Sequence, residues 1–97
     1  MLARVVTWEG GDAEAMKQSA AEINEQSSDG PPPGVPAKEF LLLQDTANGK
    51  SVAIITFDNE DDYRQGDEVL SSMDPPGGGM GQRVSVEKFE IAARFEA

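Results

Sequence analysis

The sequence predicts an α+β domain in which a four-stranded antiparallel sheet carries two helices on one face. Three observations predict it. Segments with strand-like alternation and segments with helical periodicity follow one another in the order strand, helix, strand, strand, helix, strand. The two halves echo each other, since Val6-Thr7-Trp8-Glu9 before the first helix resembles Ile55-Thr56-Phe57-Asp58 before the second. The stretch from Phe40 to Phe57, FLLLQDTANGKSVAIITF, reads as two strands apolar on both faces.

Leu2 to Glu9 alternate and are β-branched, which makes the first strand. Gly10-Gly11-Asp12 breaks the pattern and offers Asp12 as an N-cap. From Ala13 to Ser27, the residues Ala13, Met16, Ala20 and Ile23 form one narrow helical stripe, suited to lying close against a sheet. SSDGPPPGVPAK ends it, because Gly30 and the prolines cannot continue a helix. Asn48-Gly49 suits a tight type I′ turn. With the turn centred there, Leu43 opposes Ile54 and Phe40 opposes Phe57. One face then carries Leu41, Leu43, Val52 and Ile54, and the other Phe40, Leu42, Ile55 and Phe57.

Asp58-Asn59-Glu60-Asp61 supplies a cap and an acidic first turn for the second helix. Its stripe is Tyr63, Gly66, Leu70 and Met73, with Val69 beside it. Gly66 costs this helix about 1 kcal/mol relative to Ala, which points to a close backbone approach. MDPPGGGMGQR ends the helix. A last strand runs from about Val84 to Phe95, with a bulge expected at Glu87-Lys88, where its apolar face switches between Val86 and Phe89. This order is the split βαβ, or ferredoxin-like, arrangement of a single domain over residues 1–97. Its second sheet face would be a larger apolar patch than monomers usually expose, so a second copy of the chain is expected to cover it.

Composition narrows the chemistry. A net charge of −10, with eight scattered basic residues, argues against nucleic acid and anionic membrane surfaces. No apolar run approaches the length of a membrane helix, and MLARVVTWE has no signal-peptide core, so a cytoplasmic protein is expected. With no Cys there is no disulfide, thiolate nucleophile or iron–sulfur cluster. With no His there is no Ser-His-Asp triad and no ordinary zinc site. Haem would have to find another axial ligand, and Tyr63 is the single phenol available. No cofactor and no metal is expected.

From ARVVTWEG through the hairpin to SVEKFEIAARFE, the pattern resembles the dimeric α+β-barrel superfamily, and within it the antibiotic-biosynthesis-monooxygenase-like group. The resemblance rests on architecture and strand style. It implies two sheets facing one another across a homodimer, with a pocket between each sheet and its helices. The haem-degrading branch uses an Asn on the first strand, a Trp on the third and a His on the second helix. Here the corresponding elements offer Thr7, Phe57 and no His, which argues against haem degradation. The polyketide oxygenases of the group rely on Trp, Asn, Tyr and Arg, residue types that Trp8, Asn24, Tyr63 and Arg64 supply without a match of position.

The candidate pocket residues are Trp8, Phe57, Tyr63 and Arg64. Trp8 could line a pocket and orient a ligand through its indole N–H, or it and Phe57 could be equivalent core residues. Tyr63 and Arg64 could bind an enolate or carboxylate, although helical neighbours point in different directions and Tyr63 lies on the apolar stripe. The acidic run Asp58, Glu60, Asp61, Asp62 fails the EF-hand pattern and reads as helix capping. Gly77-Gly78-Gly79-Met80-Gly81 follows a helix and precedes a strand, the reverse of a phosphate cradle, and reads as a loop. Two principal functions stay open. One is a cofactor-independent monooxygenase-like enzyme acting on a small aromatic substrate. The other is a non-catalytic module that binds a small molecule or a protein. An isomerase or cyclase using Asp58 or Glu9 as base is a third.

Overall fold

Period-two alternation in the strand segments becomes one continuous sheet in the computed structural model, which describes residues 1–26, 30, 34–72 and 81–95. The elements are β1 (Leu2–Glu9), α1 (Ala13–Gln26), β2 (Glu39–Asp45), β3 (Lys50–Phe57), α2 (Glu60–Ser71) and β4 (Gln82–Glu90). The sheet order is β2-β3-β1-β4 and every pairing is antiparallel, which makes the fold ferredoxin-like. Ser27, Met73, the Pro31–Pro33 run and all of the glycine-rich run except Gly81 lie outside the described residues.

Register separates the two faces of the sheet. Leu2, Arg4, Val6 and Trp8 of β1 stand beside Phe57, Ile55, Ala53 and Ser51 of β3, the last three of which stand beside Phe40, Leu42 and Gln44 of β2. Both helices cover this side: Gln44 Nε2 donates to the Met16 carbonyl of α1 at 2.9 Å, and Arg4 Nε donates to Asp67 of α2 at 2.8 Å. Under α2, Val35, Ile55, Phe57 and Tyr63 form the core, with Leu2, Ala37, Val69 and Leu70 around them. Outside that cluster the buried residues include Met16, Val6 and Ala53 and the hydroxyl-bearing Ser19 and Ser51.

Both helices start as capping chemistry requires. Asp12 Oδ2 accepts from the Ala15 N–H at 3.1 Å, and Asn59 Oδ1 accepts from the Asp62 N–H at 2.8 Å. The expected close approach at Gly66 is present. A Cβ there would lie 2.4 Å from Phe57 Cε1, so the Phe57 ring rests directly on the helix backbone.

Three details differ from the sequence reading. The hairpin pairs Leu43 with Val52 and Phe40 with Ile55, and its last pair is Asp45 with Lys50. The loop therefore holds Thr46-Ala47-Asn48-Gly49 rather than Asn48-Gly49 alone. Asp45 explains the difference: its Oδ2 accepts from Asn48 Nδ2 at 2.7 Å, and its carbonyl accepts from the Asn48 N–H at 3.2 Å. Gly49 then takes φ +67°, with its carbonyl accepting from the Gly11 N–H at 2.9 Å. The slip is by an even number of residues, so every side chain keeps its expected face. The irregularity in β4 lies not at Glu87-Lys88 but at Val84, where pairing steps from Thr7 with Ser85 to Trp8 with Arg83. Val86 and Phe89 take opposite faces by plain alternation, beside Val6 and Ala3. Finally, β4 stops at Glu90, short of the expected Phe95.

The Phe57 contact predicts an outcome opposite to helix propensity. Propensity alone makes Gly66→Ala stabilising by about 1 kcal/mol, but the methyl must displace a fully buried ring, at a cost of roughly 1–3 kcal/mol. Urea denaturation should show a net loss of stability, and a gain would mean that the ring yields freely.

Candidate functional site

Of the four pocket residues expected from sequence, the structure brings two together. The Phe57 and Tyr63 rings meet edge to face, with centroids 5.5 Å apart and planes at 70°. Trp8 pairs with Ser51, whereas Phe57 pairs with Leu2, so Trp8 stands at the far end of β1. Six residues of strand separate those ends, roughly 20 Å. Arg64 is exposed, because it falls about 100° around α2 from Tyr63. Asn24 is likewise exposed, on the last turn of α1.

The guanidinium that accompanies Tyr63 comes instead from Arg4. Only 3% of Arg4 is exposed, on a central strand, where an unpaired cation would be costly. Asp67 Oδ1 lies 2.8 Å from its Nε, and Ser71 Oγ accepts from the guanidinium at 3.3 Å. Both partners are on α2, one turn apart, so the arginine fastens the helix to β1. From β4, the Lys88 ammonium sits 5.0 Å from the centre of the Tyr63 ring and is ion-paired with Glu60. The alternation held the signal for Arg4: it occupies the helix side between the apolar Leu2 and Val6 of its own strand and beside Ile55 of β3.

The cluster thus holds two cations, two carboxylates and one phenol. Burial pushes the Tyr63 phenol above its ordinary range, and the Asp67 carboxylate adds to this. Arg4 pulls the other way, and Glu60 raises it further. At neutral pH, Tyr63 is therefore a hydrogen-bond donor and not a phenolate. Such an arrangement can orient a polar group beside an aromatic edge. Its cations are already engaged by Asp67 and Glu60.

The second feature is the open sheet face. It carries Ala3, Val5 and Thr7, Glu39, Leu41 and Leu43, Val52, Ile54 and Thr56, and Ser85, Glu87 and Phe89. Leu41, Leu43 and Phe89 are 53%, 51% and 49% exposed, large values for leucine and phenylalanine in regular strands. Glu9, Glu39, Asp45 and Glu87 are its carboxylates, with Lys50 beside Asp45, while the acidic residues of the two helices lie on the other side of the sheet. Among the described residues no group of three acidic side chains is placed to hold a metal ion, and no helix is long and apolar enough to cross a membrane.

Tyr63 is the chain's single tyrosine, so its titration can be followed without ambiguity. Asp67→Asn should bring the phenol back toward its ordinary value of about 10, and Arg4→Leu should push it higher. Tyrosinate absorbance against pH reads both, and shifts in the same direction would break the assignment. A raised folded pKa stabilises the fold fully below the ordinary phenol range, and that share is lost as pH climbs through the folded value. Wild type should therefore lose more stability above about pH 10 than Tyr63→Phe does.

No family model matches this chain, and neither a curated protein nor a solved structure is significantly similar to it.

Proposed function

We propose that this chain works as a homodimer closed through its open sheet face, and that its helix side serves as a binding module rather than as a catalyst. The observation behind the dimer is the set of half-exposed apolar side chains at the two edges of a face that no helix covers, Leu41 and Leu43 on β2 and Phe89 on β4. Strands of seven to nine residues, about 4.8 Å apart, make a face of roughly 500 Å². Two such faces together remove roughly 1,000 Å² from water, the lower end for a specific interface.

Charge favours an identical partner on this side. A chain of net charge −10 repels its own copy through any acidic surface. The open face carries four carboxylates, Glu9, Glu39, Asp45 and Glu87, against eight on the two helices, so it is where two copies approach at lower cost. The pairing would give the closed α+β barrel that the sequence pattern resembles.

The ligand reading follows from the engaged cations. Arg4 and Lys88 already face Asp67 and Glu60, so a developing oxyanion would have to compete with both carboxylates. A small aromatic molecule that accepts a hydrogen bond from Tyr63 meets no such competition. One observation favours the oxygenase reading as the second choice. Tyr63 is held protonated beside Arg4, and a phenol so placed can donate to the oxygen of a substrate enolate. Oxygen uptake with phenolic substrates that disappears in Tyr63→Phe would favour catalysis. Thermal shifts on ligand addition without oxygen uptake would favour binding.

Sedimentation analysis tests the dimer. Leu43→Asp should raise the dimer dissociation constant about thirty-fold or more, the scale of an interface hot spot. Added salt should tighten the wild-type dimer by screening like charges. A wild-type chain that stays monomeric at high micromolar concentration would rule the assembly out.

A further inference from the structure

After β4 the chain does not leave the sheet. The Ile91 N–H donates to the Met1 carbonyl at 3.0 Å, and the Arg94 guanidinium is ion-paired with Glu39 on β2. β4 and β2 are the two edges of the sheet, so the Arg94 side chain links the segment after β4 to the opposite edge. Glu39 stands on the open-face side, beside Thr56, and the segment therefore crosses that face at its Ala3–Thr56 end. Ala3 and Thr56 are the buried residues of an otherwise part-exposed face.

The crossing is lightly held. Both partners of the Arg94–Glu39 pair keep more than a third of their side-chain surface in water, where an ion pair contributes little. Thr56 Oγ1 is buried without a hydrogen-bond partner, an arrangement that opposes the closure. At the end of the segment, Phe95 is 87% exposed. No core contact explains a phenylalanine there. Its neighbour Arg94 is paired with Glu39 on β2, the strand on which Leu41 and Leu43 stand half-exposed.

The geometry points to the segment Ile91–Phe95 being part of the dimer interface, with Arg94 tethering it to its own β2 and Phe95 packing on the open face of the second copy. This rests on the homodimer reading above. Phe95 lengthens the apolar face at its edge, adding the aromatic anchor that interfaces favour to an area near the lower limit. By symmetry each copy gives one phenylalanine and receives one.

The test compares full-length wild type with Phe95→Asp, Phe95→Leu and Leu43→Asp by sedimentation velocity across a concentration series, with urea midpoints taken under dilute, monomeric conditions. Phe95→Asp should raise the dimer dissociation constant about ten-fold, with the monomer's midpoint unchanged, and Phe95→Leu should restore most of the affinity. Wild-type affinity in Phe95→Asp, alongside a monomeric Leu43→Asp, would place the segment outside the interface and leave the sheet-face dimer standing. A fall in the monomer's midpoint that matches the loss of affinity would show Phe95 acting within its own chain and would also overturn the proposal. A monomeric wild type would remove both readings.

Discussion

The contact between the Phe57 ring and the bare backbone of Gly66 sets the spacing on which the better-packed half of the molecule depends. With no side chain at that position, α2 settles directly on β3. Only at that distance can Arg4 reach from the middle of β1 to Asp67 and Ser71, one turn apart on the helix. The same closeness brings the Tyr63 ring edge to Phe57 and lets Lys88 reach over it from β4. A buried aromatic ring contributes roughly 1.5–3 kcal/mol, which offsets the helix penalty of one glycine. The polar cluster around Tyr63 is thus a consequence of an apolar contact.

The two faces of the sheet solve different problems. On the helix side, the one buried cation is neutralised by α2, and polar groups are held where the helices need fastening. On the open side, β1 and β3 present Val5, Val52 and Ile54, flanked by exposed Leu41, Leu43 and Phe89. Eight carboxylates stand on the two helices, across the sheet from these apolar side chains.

Element order and face assignment were legible because alternation and helical periodicity are local properties of the chain. The hairpin shows how far that reaches. Asn48-Gly49 marks a turn, but whether two or four residues form the loop depends on the Asp45 carboxylate, and only the parity of the register survived the difference. Gly66 was readable as a close approach, while its neighbour became known only when Phe57 was placed. The guanidinium was assigned to Arg64, adjacent to Tyr63 in sequence, although adjacency on a helix means different faces. Arg4, fifty-nine positions away, lies on the correct side of a strand, and only sheet register joins it to α2. The bulge was placed at a change of apolar face that ordinary alternation explains, whereas the extra residue, Val84, breaks no sequence pattern.

The separation of Trp8 from Tyr63 has a consequence for how the molecule can be watched. The chain has one residue of each kind, at opposite ends of the sheet, with Trp8 on the α1 side and Tyr63 on the α2 side. Indole emission therefore reports on the half whose core is small and partly polar, and phenol absorbance on the half built around Phe57. Without any label, the order in which the two halves loosen can be read from a single unfolding run at two wavelengths.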